Sequence, residues 1–234
     1  GPSMTITAAG VADGSTSNNA TLALTFEAGE VTTNFAEGDI TLAGGNLSNF
    51  AANVNGTTYT ATFTPTGDGA TTIDVGAGTF TDASSNDNTA ATQFNWTFDS
   101  TGPSMTITAA GVADGSTSNN ATLALTFEAG EVTTNFAEGD ITLAGGNLSN
   151  FAANVNGTTY TATFTPTGDG ATTIDVGAGT FTDASSNDNT AATQFNWTFD
   201  STGPSMTITA AEVADGSTSN DTTLALTFEA GEVT

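Results

Sequence analysis

The stretch "TYTATFTPTGDGATTIDV", residues 58–75, alternates apolar and polar residues and then turns. Tyr59, Ala61 and Phe63 fall on one side of an extended chain, with threonines on the other. That two-residue period is the signature of a half-buried strand. Gly67-Asp68-Gly69 breaks it, and Ile73 and Val75 resume it in a second strand. Threonine suits the outward positions, because its β-branch fits a strand and its hydroxyl meets water.

The same pattern extends in both directions. Met4, Ile6 and Ala8 mark a first strand, Leu22, Leu24 and Phe26 a second, and Ile40 and Leu42 a short third. Leu47 to Val54 forms a looser fourth, closed by the hairpin turn Asn55-Gly56. Phe94, Trp96 and Phe98 form the last. No window has a helical period. Seven short strands separated by turn residues predict an all-β fold, a seven-stranded immunoglobulin-like β-sandwich. Trp96 lies on the last strand and there is no cysteine pair, so the domain is not antibody-like.

This unit is repeated. Gly1 recurs as Gly102 and Gly203, and residues 1–101 and 102–202 are identical at every position. Residues 203–234 repeat the start of the unit, with Glu212, Asp221 and Thr222 replacing Gly10, Asn19 and Ala20. "GPS" at the start is native sequence, since it recurs at 102–104 and 203–205. The expected organisation is two full domains, 1–101 and 102–202, and a partial third, 203–234, that supplies only the first two strands.

Composition excludes most chemistry. The chain has 25 Asp and Glu, no Lys, Arg, His or Cys, and a formal net charge of −25. No imidazole, thiol or lysine amine is present for general-base or nucleophilic catalysis. A Cys/His zinc site and a disulfide are equally ruled out. Nothing can neutralise phosphates, so no nucleic-acid partner is expected. Anionic membranes repel the chain, and no apolar run is long enough to span one. Any export signal lies outside this sequence. Glu37 and Asp39 could pair as glycosidase carboxylates, but no cleft residues stand apart from the core pattern, and no enzyme is expected.

The segments "ALTFEAGEVTTNFAEGDITLAGGNLSNF", "TYTATFTPTGDGATTIDVGAGTFTDASSNDNTAATQF" and "FDSTGP" resemble the bacterial Ig-like repeats of giant surface adhesins and biofilm-associated proteins. The resemblance covers each full repeat and the matching part of the third. It implies a secreted tandem array that stands off the cell as a stalk, with calcium near domain junctions. One extra residue in "FEAGEV", and Gly-Pro where Ala-Pro is commoner, depart from the family pattern.

The linker Asp99-Ser100-Thr101-Gly102-Pro103 is short, and Pro103 fixes its own φ. In such a sandwich the first strand begins at one end and the last strand finishes at the other, so the domains are expected end to end. Loops 131–140 and 178–192 should face the preceding domain, and the loops near Asp13 and Asp68 the following one. Carboxylates then gather at each junction: Asp99 with Glu131 and with Asp183 or Asp188 at the first, Asp200 and Glu232 at the second, and Glu30, Asp82 and Asp87 at the front of the first copy. Two readings stand, solvated loop acids or oxygen ligands for Ca²⁺, with Mg²⁺ as another hard cation. "GTFTDASSNDN" lacks EF-hand spacing and reads as a structural loop. The N-x-[ST] matches at Asn19, Asn46, Asn55 and Asn95 arise readily in a chain this rich in Asn and Thr.

The expected role is an extracellular spacer at a cell surface or in a secreted fibre, with neighbouring repeats or other copies as partners. Two alternatives remain at this stage. One is a filament subunit in which another copy completes residues 203–234 by strand addition. The other is an adhesive module gripping a glycan or protein.

Overall fold

In the computed structural model, residues 1–32, 34–133 and 135–231 are described. The first repeat forms β1 (Met4–Ala8), β2 (Ser15–Ser17), β3 (Leu22–Ala28), β4 (Ile40–Ala43), β5 (Gly45–Ala52), β6 (Thr58–Pro65), β7 (Gly69–Val75) and β8 (Phe94–Phe98). They make two four-stranded sheets, ordered β1-β3-β6-β5 and β2-β8-β7-β4. Neighbours are antiparallel except β2 and β8, which run parallel with Ser15 opposite Trp96 and Ser17 opposite Phe98. The fold is the immunoglobulin-like sandwich read from the sequence, with one strand more than that reading gave. Ser15–Ser17 carries no apolar residue and so leaves no alternating signal.

The inward residues of the two sheets make one core. Phe26, Phe63, Ile73, Val75 and Trp96 are fully or almost fully buried. Register sets their partners: Phe26 lies opposite Tyr59, Leu22 opposite Phe63 and Ile73 opposite Phe94. Two loop aromatics complete the core. Phe35 is ringed by Phe26, Phe50, Tyr59 and Phe80, with centroids 4.9–5.8 Å away. The looseness of the fourth expected strand has a physical cause, a register shift in β5 between Ser48 and Ala51. Asn49 sits there at φ 55°, and its amide donates to Thr62 Oγ1. Such a bulge twists an edge strand away from further pairing. At Gly45 a Cβ would collide with the ring of Phe63, so only glycine lets β5 pack this close.

The second repeat builds the same sandwich from β9 (Met105–Ala109), β10 (Ser116–Ser118), β11 (Leu123–Ala129), β12 (Ile141–Ala144), β13 (Gly146–Ala153), β14 (Thr159–Pro166), β15 (Gly170–Val176) and β16 (Phe195–Phe199). Beyond it, β17 (Met206–Ala210) and β18 (Leu226–Ala230) pair in the register of β1 and β3, with Ile208 opposite Phe228. No second sheet covers this hairpin among the described residues, and Met206, Ile208, Leu226 and Phe228 are exposed.

The register also gives each sandwich a polarity. Met4 of β1 pairs with Ala28 at one end, and Phe98 of β8 pairs with Gly69 at the other. The chain therefore enters a repeat at its front and leaves at its back.

Candidate metal centre at the repeat junction

The front of each repeat is shaped by the loop that follows β7 or β15. In the first copy Asn88, itself buried, accepts from the amides of Thr79 and Phe80 at 2.8 and 3.0 Å. Its own amide donates to the carbonyls of Gly76 and Thr89 at 2.7 and 3.0 Å. Asp82 accepts from the Ser84 and Asn86 amides and from Asn86 Nδ2 at 2.8–2.9 Å. These bonds hold the Asp82 carboxyl below its ordinary range, the Asn86 side chain contributing most. Segment 79–88 is thus a self-bonded structural loop. Asp39, raised above as half of a carboxylate pair, accepts from the Ala36 amide and ties a short turn.

In the second copy this loop meets the end of the first repeat. Ser185 Oγ donates to Asp99 Oδ2 at 2.8 Å, and Asn187 Nδ2 donates to the Asp99 carbonyl at 2.9 Å. Asn18, in the loop after β2, donates to Asn187 Oδ1 at 3.2 Å. Asp183 and Ser185 become buried here, whereas Asp82 is half-buried and Ser84 exposed at the same positions of the first copy.

Asp99, Glu131 and Asp183 converge in this contact, each offering a carboxylate oxygen within 4.8 Å of the others. Burial pushes the Glu131 carboxyl up, and the charges of Asp183, Asp99 and Asp68 push it further. Asp183 is held by Asn187, through the amide at 2.8 Å and the side chain at 2.9 Å. The donor set is all oxygen, with Asp99 and Glu131 half-buried and Asp183 buried, and there is no side-chain cation anywhere in the chain. Those are the needs of a hard divalent cation that takes six to eight oxygens. Asp99, Glu131 and Asp183 would hold it, and its charge would offset their mutual repulsion.

The other expected positions are placed differently. Asp188 does not join the cluster: its backbone bridges Thr182, and its carbonyl oxygen lies where a Cβ at Gly102 would collide. Glu30, Asp82 and Asp87 form no such cluster among the described residues. Glu30 instead lies 4.0 Å from the amino terminus. Asp200 accepts from the Thr202 amide at 3.2 Å, and Glu232 lies outside the described residues. Asp13 accepts from the Asn95 amide at 2.7 Å, and Asn18 rather than Asp13 makes the contact to the second repeat.

Asp68 is the residue whose role the sequence reading did not specify. Its Oδ1 accepts from Ser100 N and Ser100 Oγ at 2.9 and 2.6 Å, and its Oδ2 from Thr101 Oγ1 at 2.5 Å. Asp169 repeats this on Ser201 and Thr202. The available signal was a lone carboxylate between two turn glycines.

A family model described as a bacterial Ig-like domain matches residues 1–98 and again 99–199. The chain belongs to that family. No curated protein matches this bacterial Ig-like pair. Among solved structures it is similar to InvD of Yersinia pseudotuberculosis, at 19% identity and TM-score 0.39, covering 91% of this chain and 63% of that one. It is also similar to the Escherichia coli adhesin FdeC, at 16% identity and TM-score 0.42, covering 90% and 67%. Invasin, a bacterial integrin-binding protein, matches at 19% identity and TM-score 0.43, covering 89% and 42%. The chain thus spans less than two thirds of the InvD chain. No helix among the described residues is long and apolar enough to cross a membrane.

Proposed function

We propose that this bacterial Ig-like chain is an extracellular spacer of an adhesin-like surface protein, holding distance between a cell and whatever its parent protein engages. The observation that carries this reading is the junction. Two identical sequences differ in burial only where the front of one repeat meets the back of the other, and the linker between them is bonded on both sides. Each copy can therefore serve as the socket for the one before it. A chain without imidazole, thiol or amine side chains suits such work. Its partners on this reading are neighbouring repeats.

Calcium at Asp99, Glu131 and Asp183 is the finer part of the proposal. A cation bound only by the folded, docked pair adds RT ln(1 + [L]/Kd), about 2.7 kcal/mol at a hundredfold excess over Kd. Glu131→Gln is the informative variant, because it removes a charged ligand whose carboxylate makes no hydrogen bond within the cluster. Calorimetric titration of the wild type with Ca²⁺ should show binding, with a rise in melting temperature that EDTA reverses. Glu131→Gln should lose both while melting normally in EDTA. No calcium-dependent change in the wild type would remove the metal from the proposal and leave the spacer.

A further inference from the structure

Four of the five linker residues divide between the two repeats, while Asp99 is bonded from the second by Ser185 and Asn187, and Asn187 also reaches the Thr101 carbonyl at 3.4 Å. Ser100 and Thr101 are bonded to Asp68, which projects from the β6–β7 turn of the preceding repeat. Gly102 and Pro103 belong to the following repeat. The Gly102 backbone lies against the Asp188 carbonyl too closely for any Cβ, and the Thr190 amide donates to the Pro103 carbonyl at 3.0 Å. The same two contacts recur at Gly1 and Pro2, with Asp87 and Thr89, where no described repeat precedes them.

The second junction shows that the Asp68-type bonds form by themselves. Asp169 binds Ser201 and Thr202 at 2.8, 2.7 and 2.5 Å, matching the first junction. These three bonds join residues of one repeat and its own linker, with no atom of a following repeat taking part.

We infer that Asp68 and Asp169 are positioning residues that clasp the linker to the repeat before it, reducing the joint between repeats to the backbone torsions that flank the planar Thr101–Gly102 peptide and aiming the next repeat before any cation binds. One carboxylate bonded to a backbone amide and to two hydroxyls on adjacent residues fixes both backbone direction and side-chain rotamers. Charged acceptors make the stronger hydrogen bonds. The Asp99 contacts, and a cation on them, then have only ψ of Thr101 and φ of Gly102 left to set. The inference rests on the spacer reading for its purpose, but its geometry stands apart from any metal.

The test is the distribution of distances between two spin labels, one on each repeat, measured in EDTA on the full chain. The chain has no cysteine, so Thr60→Cys and Thr161→Cys, both exposed, give specific attachment. The expected result is a narrow distribution for the otherwise native chain. Asp68→Ala should broaden it about twofold or more, as a freed linker samples more directions, while circular dichroism shows both repeats still folded. Ser100→Ala with Thr101→Val removes the hydroxyl donors from the other side and should broaden it too. Narrow distributions in both variants would overturn the clasp and leave the spacer intact. A native distribution that is broad in EDTA and narrow only with Ca²⁺ would also overturn it, assigning the aiming to the metal. Breadth under both conditions would remove the clasp and the stiff spacer together.

Discussion

Asp82 and Asp183 occupy the same place in identical repeats, so the difference between them isolates what the junction does to a residue. Docking buries the second and gathers Asp99 and Glu131 around it. The gathering was legible in the sequence because loop acids and a short linker fall at the same end of an alternating-strand fold. The choice of Asp183 over Asp188 was not, because it depends on which of the two turns its backbone toward the linker. Asp68 and Asp169 provide a titration test. Hydrogen bonds from the linker hydroxyls and amide hold both carboxyls below their ordinary value of 3.8. A folded-state pKa that is depressed contributes stability above the unfolded pKa and loses it as pH falls through the folded one. The linker bonds should thus persist through mild acid and fail only below the usual aspartate range. Amide shifts of Ser100 and Ser201 followed by NMR should titrate with midpoints below 3.8. A midpoint at or above that value would contradict the hydrogen bonding described. In the absence of cation, Glu131 should titrate above its ordinary value for the opposite reason, burial among like charges.

At the scale of elements, period-two alternation identified every strand that buries a face. It missed β2, whose residues contribute hydrogen bonds more than packing: Trp96 Nε1 donates to Ser17 Oγ at 3.0 Å. It also passed over Phe35 and Phe80, which enter the core from loops, where no period exists to mark them. Tyr59 shows how a strand holds such a loop, its hydroxyl donating to the Thr32 carbonyl at 2.8 Å. Because Phe35 touches four aromatic rings, Phe35→Ala should cost one repeat about 3–5 kcal/mol. Val54, fully exposed at the β5–β6 hairpin, should tolerate alanine within about 0.5 kcal/mol. Urea denaturation of a single repeat would check both, and equal effects would contradict the packing described.

For the whole molecule, charge and exposed apolar surface act in opposition. The β17–β18 hairpin presents Met206, Ile208, Leu224, Leu226 and Phe228 at 50–61% exposure, while 25 carboxylates repel other copies. Added salt shortens the reach of that repulsion from about 30 Å at 0.01 M to about 8 Å at 0.15 M. Sedimentation of residues 1–234 should accordingly show association that grows with salt, and residues 1–202 should remain monomeric throughout. If both stay monomeric at every ionic strength, strand addition by a second copy has no support. The repetition itself was readable in the sequence because identity at fixed spacing needs no structure. The division of the linker at Thr101–Gly102 was not, because it is made by contacts between residues far apart in the chain.

The parallel pairing of β2 with β8 has a consequence under tension. Each repeat is entered at one end and left at the other, so a pull on the array drags β8 lengthwise past β2. Ser15–Trp96, Thr16–Thr97 and Ser17–Phe98 then meet the force side by side, as rungs sheared together instead of teeth opened one after another. A strand of three small polar residues, invisible to hydrophobic patterning, is thereby placed where a stretched repeat would first meet the load.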